Sequence, residues 1–194
     1  MGNLTIALGK FFFKYRGFIP IPIVVIVLYF AQPTFSALLI GIAFMVTGEW
    51  IRFWGVAYAG GATRTRNVGA PSLVTSGPFG HVRNPLYIGN MIMYAGAAVI
   101  ANVWIPYLIL GVLFYFAFQY YFIVKLEEQK LRELFKDEYT KYTQSVSRFL
   151  PRFTPVAASI PTQPNFKNAL RSEKSTFMSF STIIILFVLK MTLF

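Results

Sequence analysis

Long apolar runs separated by short polar breaks dominate the chain, and this pattern predicts helices that cross a membrane. A helix needs roughly 20 apolar residues to span the hydrocarbon layer of a bilayer. Five stretches reach or approach that length, although the first and third are short: residues 18–31, 34–59, 86–101, 104–124 and 176–194. We therefore expect an all-α integral membrane protein with about five transmembrane helices.

Very short turns join two pairs of these runs. Gln32-Pro33 separates the first run from the second, and Asn102-Val103 separates the third from the fourth. Each pair should form an antiparallel helical hairpin. Residues 125–145, which follow the fourth run, keep apolar positions at helical spacing but carry charges between them. They predict a helix that continues the fourth span into the cytoplasm.

The same pattern divides the chain into three parts. Residues 1–153 contain four runs and the 125–145 helix, which together predict one membrane domain. Residues 154–175 are rich in Pro, Ser, Thr and Asn, a composition that predicts an irregular polar linker. Residues 176–194 then predict a separate C-terminal transmembrane helix.

Composition supports a membrane protein and excludes several chemistries. Hydrophobic residues make up 56% of the chain, charged residues only 13%, and the mean hydropathy is +0.56. An ordinary soluble domain is about 25% charged, so a typical soluble or disordered protein is excluded. The chain has no cysteine and a single histidine. Disulfide scaffolds, cysteine nucleophiles and Cys-ligated or His-rich metal sites are therefore excluded as well.

Basic residues outnumber acidic ones by 18 to 7, which gives a formal net charge of +11. Such an excess suits nucleic acid or an anionic membrane surface. The basic residues flank the apolar runs, and the two short turns carry none; those near the first three runs are Lys10, Lys14, Arg16, Arg64, Arg66 and Arg83. Because basic loops stay in the cytoplasm, we expect the membrane rather than nucleic acid as partner, with the N-terminus inside.

Glycine, proline and basic residues cluster in residues 73–89, directly before the third run. Glycine lets a ligand approach the backbone closely, and Pro85 can begin the next helix with Asn84 as its N-cap. A helix N-terminus favours an anionic group, and Arg83 adds a fixed charge with a two-pronged donor. These features predict a small anion-binding corner at the membrane surface. A Pro/Gly loop with juxtamembrane basic residues is the alternative.

Two sets of acidic residues stand out in this basic chain. Glu127 and Glu128 lie at the end of the fourth run, where one of them could bind an ammonium group; alternatively, Glu128 pairs with Arg132 one turn away. Glu49 and Arg52 share one face of the second run. Charged residues at membrane depth face a cavity or each other, so this pair predicts either a polar lining of the substrate path or a simple ion pair.

Two motifs together are similar to a known family. Residues 77–89 (GPFGHVRNPLYIG) resemble the G-x-[FY]-x-x-x-R-[HN]-P-x-Y-x-G signature of integral-membrane methyltransferases. Residues 127–151 resemble that family's E-E-x-x-L-x-x-x-F-x-x-x-Y-x-x-Y…R-F-x-P segment. The family comprises the isoprenylcysteine carboxyl methyltransferases and the phospholipid methyltransferases. The similarity covers roughly residues 73–151.

The resemblance implies S-adenosylmethionine as cofactor, bound in a pocket on the cytoplasmic side. It implies that the backbone of Leu73, Val74 and Gly77 contacts the cofactor. It also implies that Glu127 or Glu128 binds the cofactor's amino group. The same pocket would be lined by Arg83, Asn84, Pro85 and Tyr87. We expect Arg83 and His81 to be the catalytic residues.

One position departs from the family pattern. Many members have histidine where this chain has Asn84, and an amide cannot carry a proton near neutral pH. His81, three residues earlier, is a possible substitute.

The resemblance predicts methyl transfer to a lipid or lipidated (isoprenylcysteine-like) acceptor. One alternative is an NADPH-dependent enzyme like the sterol reductases, whose related segment typically continues as Y-x-G-E, whereas this chain has Tyr87-Ile88-Gly89-Asn90. The other alternative is a non-catalytic membrane protein that binds lipid.

Overall fold

The computed structural model describes residues 3–60, 72–158 and 161–193, and within these ranges all regular secondary structure is helical. The helices are α1 (Asn3–Tyr15), α2 (Pro20–Phe30), α3 (Phe35–Ala59), α4 (Pro85–Ala101), α5 (Tyr107–Ser145) and α6 (Phe166–Leu193), with one 3₁₀ turn at Gly77–Gly80. The predicted all-α class is confirmed. Arg64 and Arg66, predicted as cytoplasmic loop charges, lie outside the described residues.

Three of the described helices, α3, α5 and α6, are long and apolar enough to cross a membrane. Helices α1 and α2 pass the same test together, although they meet at an angle of 58°. Helix α4 is apolar but has only 17 residues. Three or four spans, with α4 beside them, agree roughly with the predicted five.

The N-terminal region differs from the prediction, which began the first span at residue 18. The structure adds α1 over residues 3–15, where Lys10 and Lys14 interrupt the apolar run. Helix α1 packs closely on α5, since a Cβ added at Gly9 would lie 2.9 Å from the carbonyl oxygen of Phe122. A search for long apolar runs misses this helix, because only one side of it packs against other helices.

Helices α3 and α4 form the centre of the bundle and touch through their backbones. A Cβ added at Gly48 would lie 2.5 Å from the carbonyl oxygen of Gly89, and one at Gly96 would lie 2.7 Å from that of Gly41. The glycines are seven residues apart on both helices, so they share one face. Small residues let membrane helices approach this closely, and the contact sets the register between α3 and α4.

The two short turns lie together at one end of the bundle. The Gln32 backbone N–H donates to the carbonyl of Ala101 at 2.8 Å, and the Asn102 amide donates to the carbonyl of Gln32 at 3.1 Å. The charged segments around residues 77–83 and 146–156 therefore meet at the opposite end. This agrees with the alternation expected for hairpins, and the cytoplasmic position of the charged end stays a prediction.

Helix α5 runs without a break from residue 107 to residue 145 except at Lys136, where the backbone leaves helical geometry (φ 41°). The predicted linker is wrong over its second half, because α6 begins at Phe166. The carboxamide oxygen of Asn165 accepts from the backbone N–H of Asn168 at 2.9 Å, and Ala169 is buried against α3. Capping and tertiary packing thus make a polar segment helical.

Candidate functional site

The two sequence motifs meet at the charged end of the bundle. The Arg83 backbone N–H donates to the carbonyl of Ser147 at 3.0 Å, and the Tyr142 hydroxyl donates to the carbonyl of Phe79 at 2.7 Å. The loop before α4 and the segment that ends α5 therefore form one unit. Helix α4 and the first part of α5 separate these segments in the chain, so the tertiary fold alone brings them together.

Glu128 is the centre of a buried ion-pair cluster. Its Oε1 lies 3.1 Å from Nη1 of Arg83 and 3.0 Å from Nε of Arg148, and its Oε2 lies 2.6 Å from Nη2 of Arg148. These hydrogen bonds raise the pKa of Arg148. The expected pairing of Glu128 with Arg132 is wrong; Arg132 lies over the ring of Tyr139 instead. Two guanidinium groups on one carboxylate leave this cluster with an excess positive charge.

Arg83 keeps one donor without a partner. Its Nε is buried and makes no hydrogen bond to any of the described residues. A buried N–H without an acceptor costs about 1–3 kcal/mol, which an anionic ligand would offset. The charge excess and this open donor make the cluster suited to a carboxylate or phosphate.

Glu127 is arranged differently from its neighbour. The Tyr87 hydroxyl donates to its Oε1 at 2.9 Å, and this is the one hydrogen bond to Glu127 that the described residues provide. Glu127 is only partly buried, and Tyr87 is held by ring packing on Tyr120 at 4.4 Å. Glu128 is occupied by two arginines, whereas Glu127 retains capacity for a cation.

The glycines of the 77–80 turn are explained by packing. Gly77 has φ of +58°, and a Cβ there would lie 2.5 Å from the ring of Tyr58. A Cβ at Gly80 would lie 3.1 Å from Pro155. Leu73 and Val74 precede this turn in a segment without regular secondary structure, and both are partly buried. The roles of Leu73, Val74 and Gly77 in ligand binding stay predictions.

His81 is held by its surroundings in one tautomer. Its Nδ1 lies 2.8 Å from the carbonyl oxygen of Arg152, and its ring centroid lies 5.8 Å from that of Trp54. Because a carbonyl only accepts, Nδ1 carries the proton, and Nε2 is the accepting nitrogen when the ring is neutral.

Asn84 and Pro85 match their predicted places at the start of α4, with one correction. Pro85 opens the helix, and Asn84 occupies the N-cap position. The Asn84 side chain makes no capping hydrogen bond, because its amide donates to the carbonyl of Arg148 at 3.1 Å. Asn84 therefore ties the two motifs together.

A second buried polar cluster surrounds Arg52 on α3. Its Nη2 lies 3.0 and 2.9 Å from the two carboxylate oxygens of Glu173 on α6, and its Nη1 donates to Asn90 of α4 at 2.6 Å. Its Nε lies 3.6 Å from Glu49. Asn90 in turn donates to the Tyr120 hydroxyl at 3.1 Å. Arg52 thus links three helices.

Sequence reasoning found Glu49 and Arg52 but missed Glu173, Asn90 and Arg148. Glu173 lies in the stretch assigned to an irregular linker, where an isolated acid carries no signal. Asn90 directly follows the first motif, and only the register between α3 and α4 places it beside Arg52. Arg148 belongs to the R-F-x-P motif, so the motif itself was the available signal.

Residues 36–138, more than half of the chain, match the family model described as phospholipid methyltransferase. The chain belongs to the phospholipid methyltransferase family. No curated protein and no solved structure shows significant similarity to it. The family match identifies the protein as a membrane methyltransferase. The matched region includes Arg83, Glu127 and Glu128, whereas Arg148 and Glu173 lie beyond it.

Proposed function

We propose that this protein transfers a methyl group from S-adenosylmethionine to a lipid or lipidated (isoprenylcysteine-like) acceptor at the cytoplasmic surface of the membrane. The observation that carries the proposal is the 3.1 Å contact between Arg83 and Glu128, which joins the two motifs with Glu127 beside them. Membership of the phospholipid methyltransferase family supports the class of reaction. It also favours methyl transfer over reduction by NADPH and over lipid binding alone.

The residues present fit this cofactor. S-adenosylmethionine carries a carboxylate, an ammonium and a positively charged sulfur. The open Nε of Arg83 suits the carboxylate, and the partly buried carboxylate of Glu127 suits the ammonium. Glu128 is already occupied by two arginines, so we assign the ammonium to Glu127 alone.

When bound, the cofactor supplies a methyl group on a sulfonium, which is an activated leaving group. The protein's own task is then to hold the acceptor atom in line with that methyl group at near-contact distance. Arg83 and Glu127 would hold the cofactor through its carboxylate and its ammonium group. In our proposal the backbone of Leu73, Val74 and Gly77, together with Asn84, Pro85 and Tyr87, completes the pocket and excludes water.

The need for a base depends on the acceptor. A carboxylate acceptor is already nucleophilic, whereas an ammonium acceptor must first lose a proton. Nε2 of His81 is the group that we assign to this proton transfer, since its Nδ1 donates to Arg152. Asn84 stands where many family members have histidine, but its amide cannot take up a proton.

The orientation follows from charge. Basic residues concentrate at the end of the bundle that holds the two motifs, and the positive-inside rule assigns such an end to the cytoplasm. We therefore propose that the N-terminus and the cofactor pocket are cytoplasmic, and that a lipid acceptor enters sideways from the bilayer.

Calorimetric titration of the purified protein with S-adenosylmethionine tests the proposal. We expect Glu127→Gln to weaken binding by about tenfold or more, because the amide loses the charge that pairs with the ammonium. Glu133→Gln is the matched control, because Glu133 lies on the same helix in an exposed pair with Lys130. Equal affinities of the wild type and the Glu127 variant would overturn the assignment of Glu127. Binding of NADPH in place of S-adenosylmethionine would overturn the function itself.

A further inference from the structure

A cavity of about 400 Å³ lies between α2, α4, α5 and α6, in the half of the bundle away from the charged end. It is half-enclosed and open on one side. Its walls include Ile23 of α2, Ala97 of α4, Gly111 of α5 and Phe187 of α6. Cavities of about 300–1,000 Å³ are the size that proteins use for small ligands.

The chemistry of the walls selects the occupant. Nearly all of the lining surface is apolar, and a cavity lined in this way stays dry. Helices α5 and α6 are candidates for membrane spans, α2 qualifies together with α1, and α4 is a shorter apolar helix. In a bilayer, the medium next to the opening is therefore hydrocarbon. A hydrocarbon chain is the ligand that such a site takes.

One face of α4 connects this cavity to the proposed cofactor site. Tyr87, Asn90, Tyr94 and Ala98 recur at helical spacing and share that face. Tyr87 donates to Glu127 at one end of the series. Tyr94 lines the cavity at the other end, where its ring stacks on Phe116 at 4.2 Å. From residue 87 to residue 98 the helix rises about 16 Å.

This arrangement matches a molecule with a polar head and a long apolar tail. We propose that the cavity holds one hydrocarbon chain of the methyl acceptor, whose reacting head then lies at the Glu127 end of α4. This inference rests on the proposed function and adds where the chain binds. Helix α6, which lies outside the region that matches the family, then contributes to the choice of acceptor by the length of its hydrocarbon chain.

Gly111 offers a direct way to fill the cavity. It lines the space, and a Cβ added there would meet no atom within 4 Å. The β-carbon of a leucine at this position therefore meets open space at the wall of the cavity, and leucine favours a helix more than glycine does. Gly17→Leu is the matched control, because its Cβ position is equally open and Gly17 does not line the cavity.

The experiment measures kcat/KM for methyl transfer from labelled S-adenosylmethionine to acceptors of increasing chain length. One arm uses phosphatidylethanolamines with short, medium and long acyl chains; the other uses geranyl-, farnesyl- and geranylgeranyl-cysteine. We expect Gly111→Leu to lower kcat/KM for the longest acceptor by about tenfold or more, the usual effect of a steric change in an apolar pocket. The shortest acceptor and the Gly17→Leu protein should be unaffected. The series of acceptors whose methylation falls in Gly111→Leu shows whether the hydrocarbon chain is an acyl chain or an isoprenyl chain.

A second measurement does not depend on turnover. Phosphatidylethanolamine with a photoreactive diazirine at the end of one acyl chain is incorporated into vesicles with the protein, in the absence of cofactor, and the labelled peptides are mapped by mass spectrometry. We expect labelling of cavity residues such as Ala97 and Phe187, and its loss in Gly111→Leu.

The outcomes separate the cavity proposal from the proposed function. An unchanged chain-length profile in Gly111→Leu overturns the cavity proposal, even if methyl transfer is normal. Equal labelling of the cavity by phosphatidylcholine and phosphatidylethanolamine, with an unchanged profile, identifies a structural lipid and also overturns it. If no acceptor is methylated, the proposed function fails, and absence of labelling in the cavity then overturns the present inference separately.

Discussion

The protein contains two buried arginine clusters that combine arginine and carboxylate groups in different ways. Around Glu128, two arginines share one carboxylate, and the Nε of Arg83 remains without a partner among the described residues. Around Arg52, one guanidinium faces the carboxylates of Glu49 and Glu173, and both of its terminal nitrogens are bonded. The first cluster places two guanidinium groups on one carboxylate, whereas the second places one guanidinium against two carboxylates.

The difference separates a ligand site from a structural link. The Glu128 cluster lies where a loop, a helix N-terminus and the end of α5 meet, and it has unused hydrogen-bonding capacity. The Arg52 cluster lies between helices α3, α4 and α6, where both terminal nitrogens of Arg52 bond to Asn90 and Glu173. Its Nε, like that of Arg83, makes no hydrogen bond to the described residues, but it lies 3.6 Å from Glu49. The sequence is compatible with two roles for Glu49 and Arg52, a polar lining of the substrate path or an ion pair. The contacts of Arg52 favour the ion pair.

The largest expected effect tests the structural cluster. Arg52→Leu leaves the fully buried carboxylate of Glu173 without its bidentate partner, which should lower the free energy of unfolding by about 3–5 kcal/mol. Thermal unfolding in detergent measures the loss. The double variant Arg52→Leu/Glu173→Leu should recover part of it, because no charge of that pair remains buried. A single variant as stable as the wild type would show that Arg52 does not link the helices.

The next effect concerns proton transfer at the charged end. His81→Asn keeps an amide that can donate to Arg152 but removes Nε2. For an amine acceptor, we expect kcat to fall by about 100-fold, because the variant has no group at this position to take up the proton. For a carboxylate acceptor, kcat should be unchanged. A pH–rate profile identical to that of the wild type with an amine acceptor would rule out His81 as the base.

A smaller effect separates charge from geometry in the first cluster. Arg83→Lys keeps the positive charge but removes the Nε donor and the two-pronged geometry, so affinity for S-adenosylmethionine should fall by about tenfold. Stability should change less than in Arg52→Leu, because Arg148 still holds Glu128. Arg132→Lys, at an exposed position on the helix that carries Glu128, is the control. A loss of stability without a loss of affinity would indicate that the Glu128 cluster has a structural role, like the Arg52 cluster.

Local pattern was sufficient for much of the secondary structure. The apolar runs and the breaks at Thr34, Pro85 and Asn102 predicted the ends of α3 and α4 closely, because capping and helix-starting residues act within one turn. The pattern failed for α1 and for residues 166–175. In both places the helix is stabilised by contacts with another helix, α5 or α3, which no local window contains.

The sequence by itself determined the helical membrane class, the two motifs and the family-specific residues of the charged end. Only the tertiary structure decided which carboxylate serves which partner: Glu128 is taken by Arg83 and Arg148, Glu127 is left with Tyr87, and Arg52 reaches Glu173. The physical reason is the length of chain between the partners. Helix formation depends on neighbouring residues, whereas pairing across the bundle depends on how glycine-mediated contact between α3 and α4 sets the register of the helices.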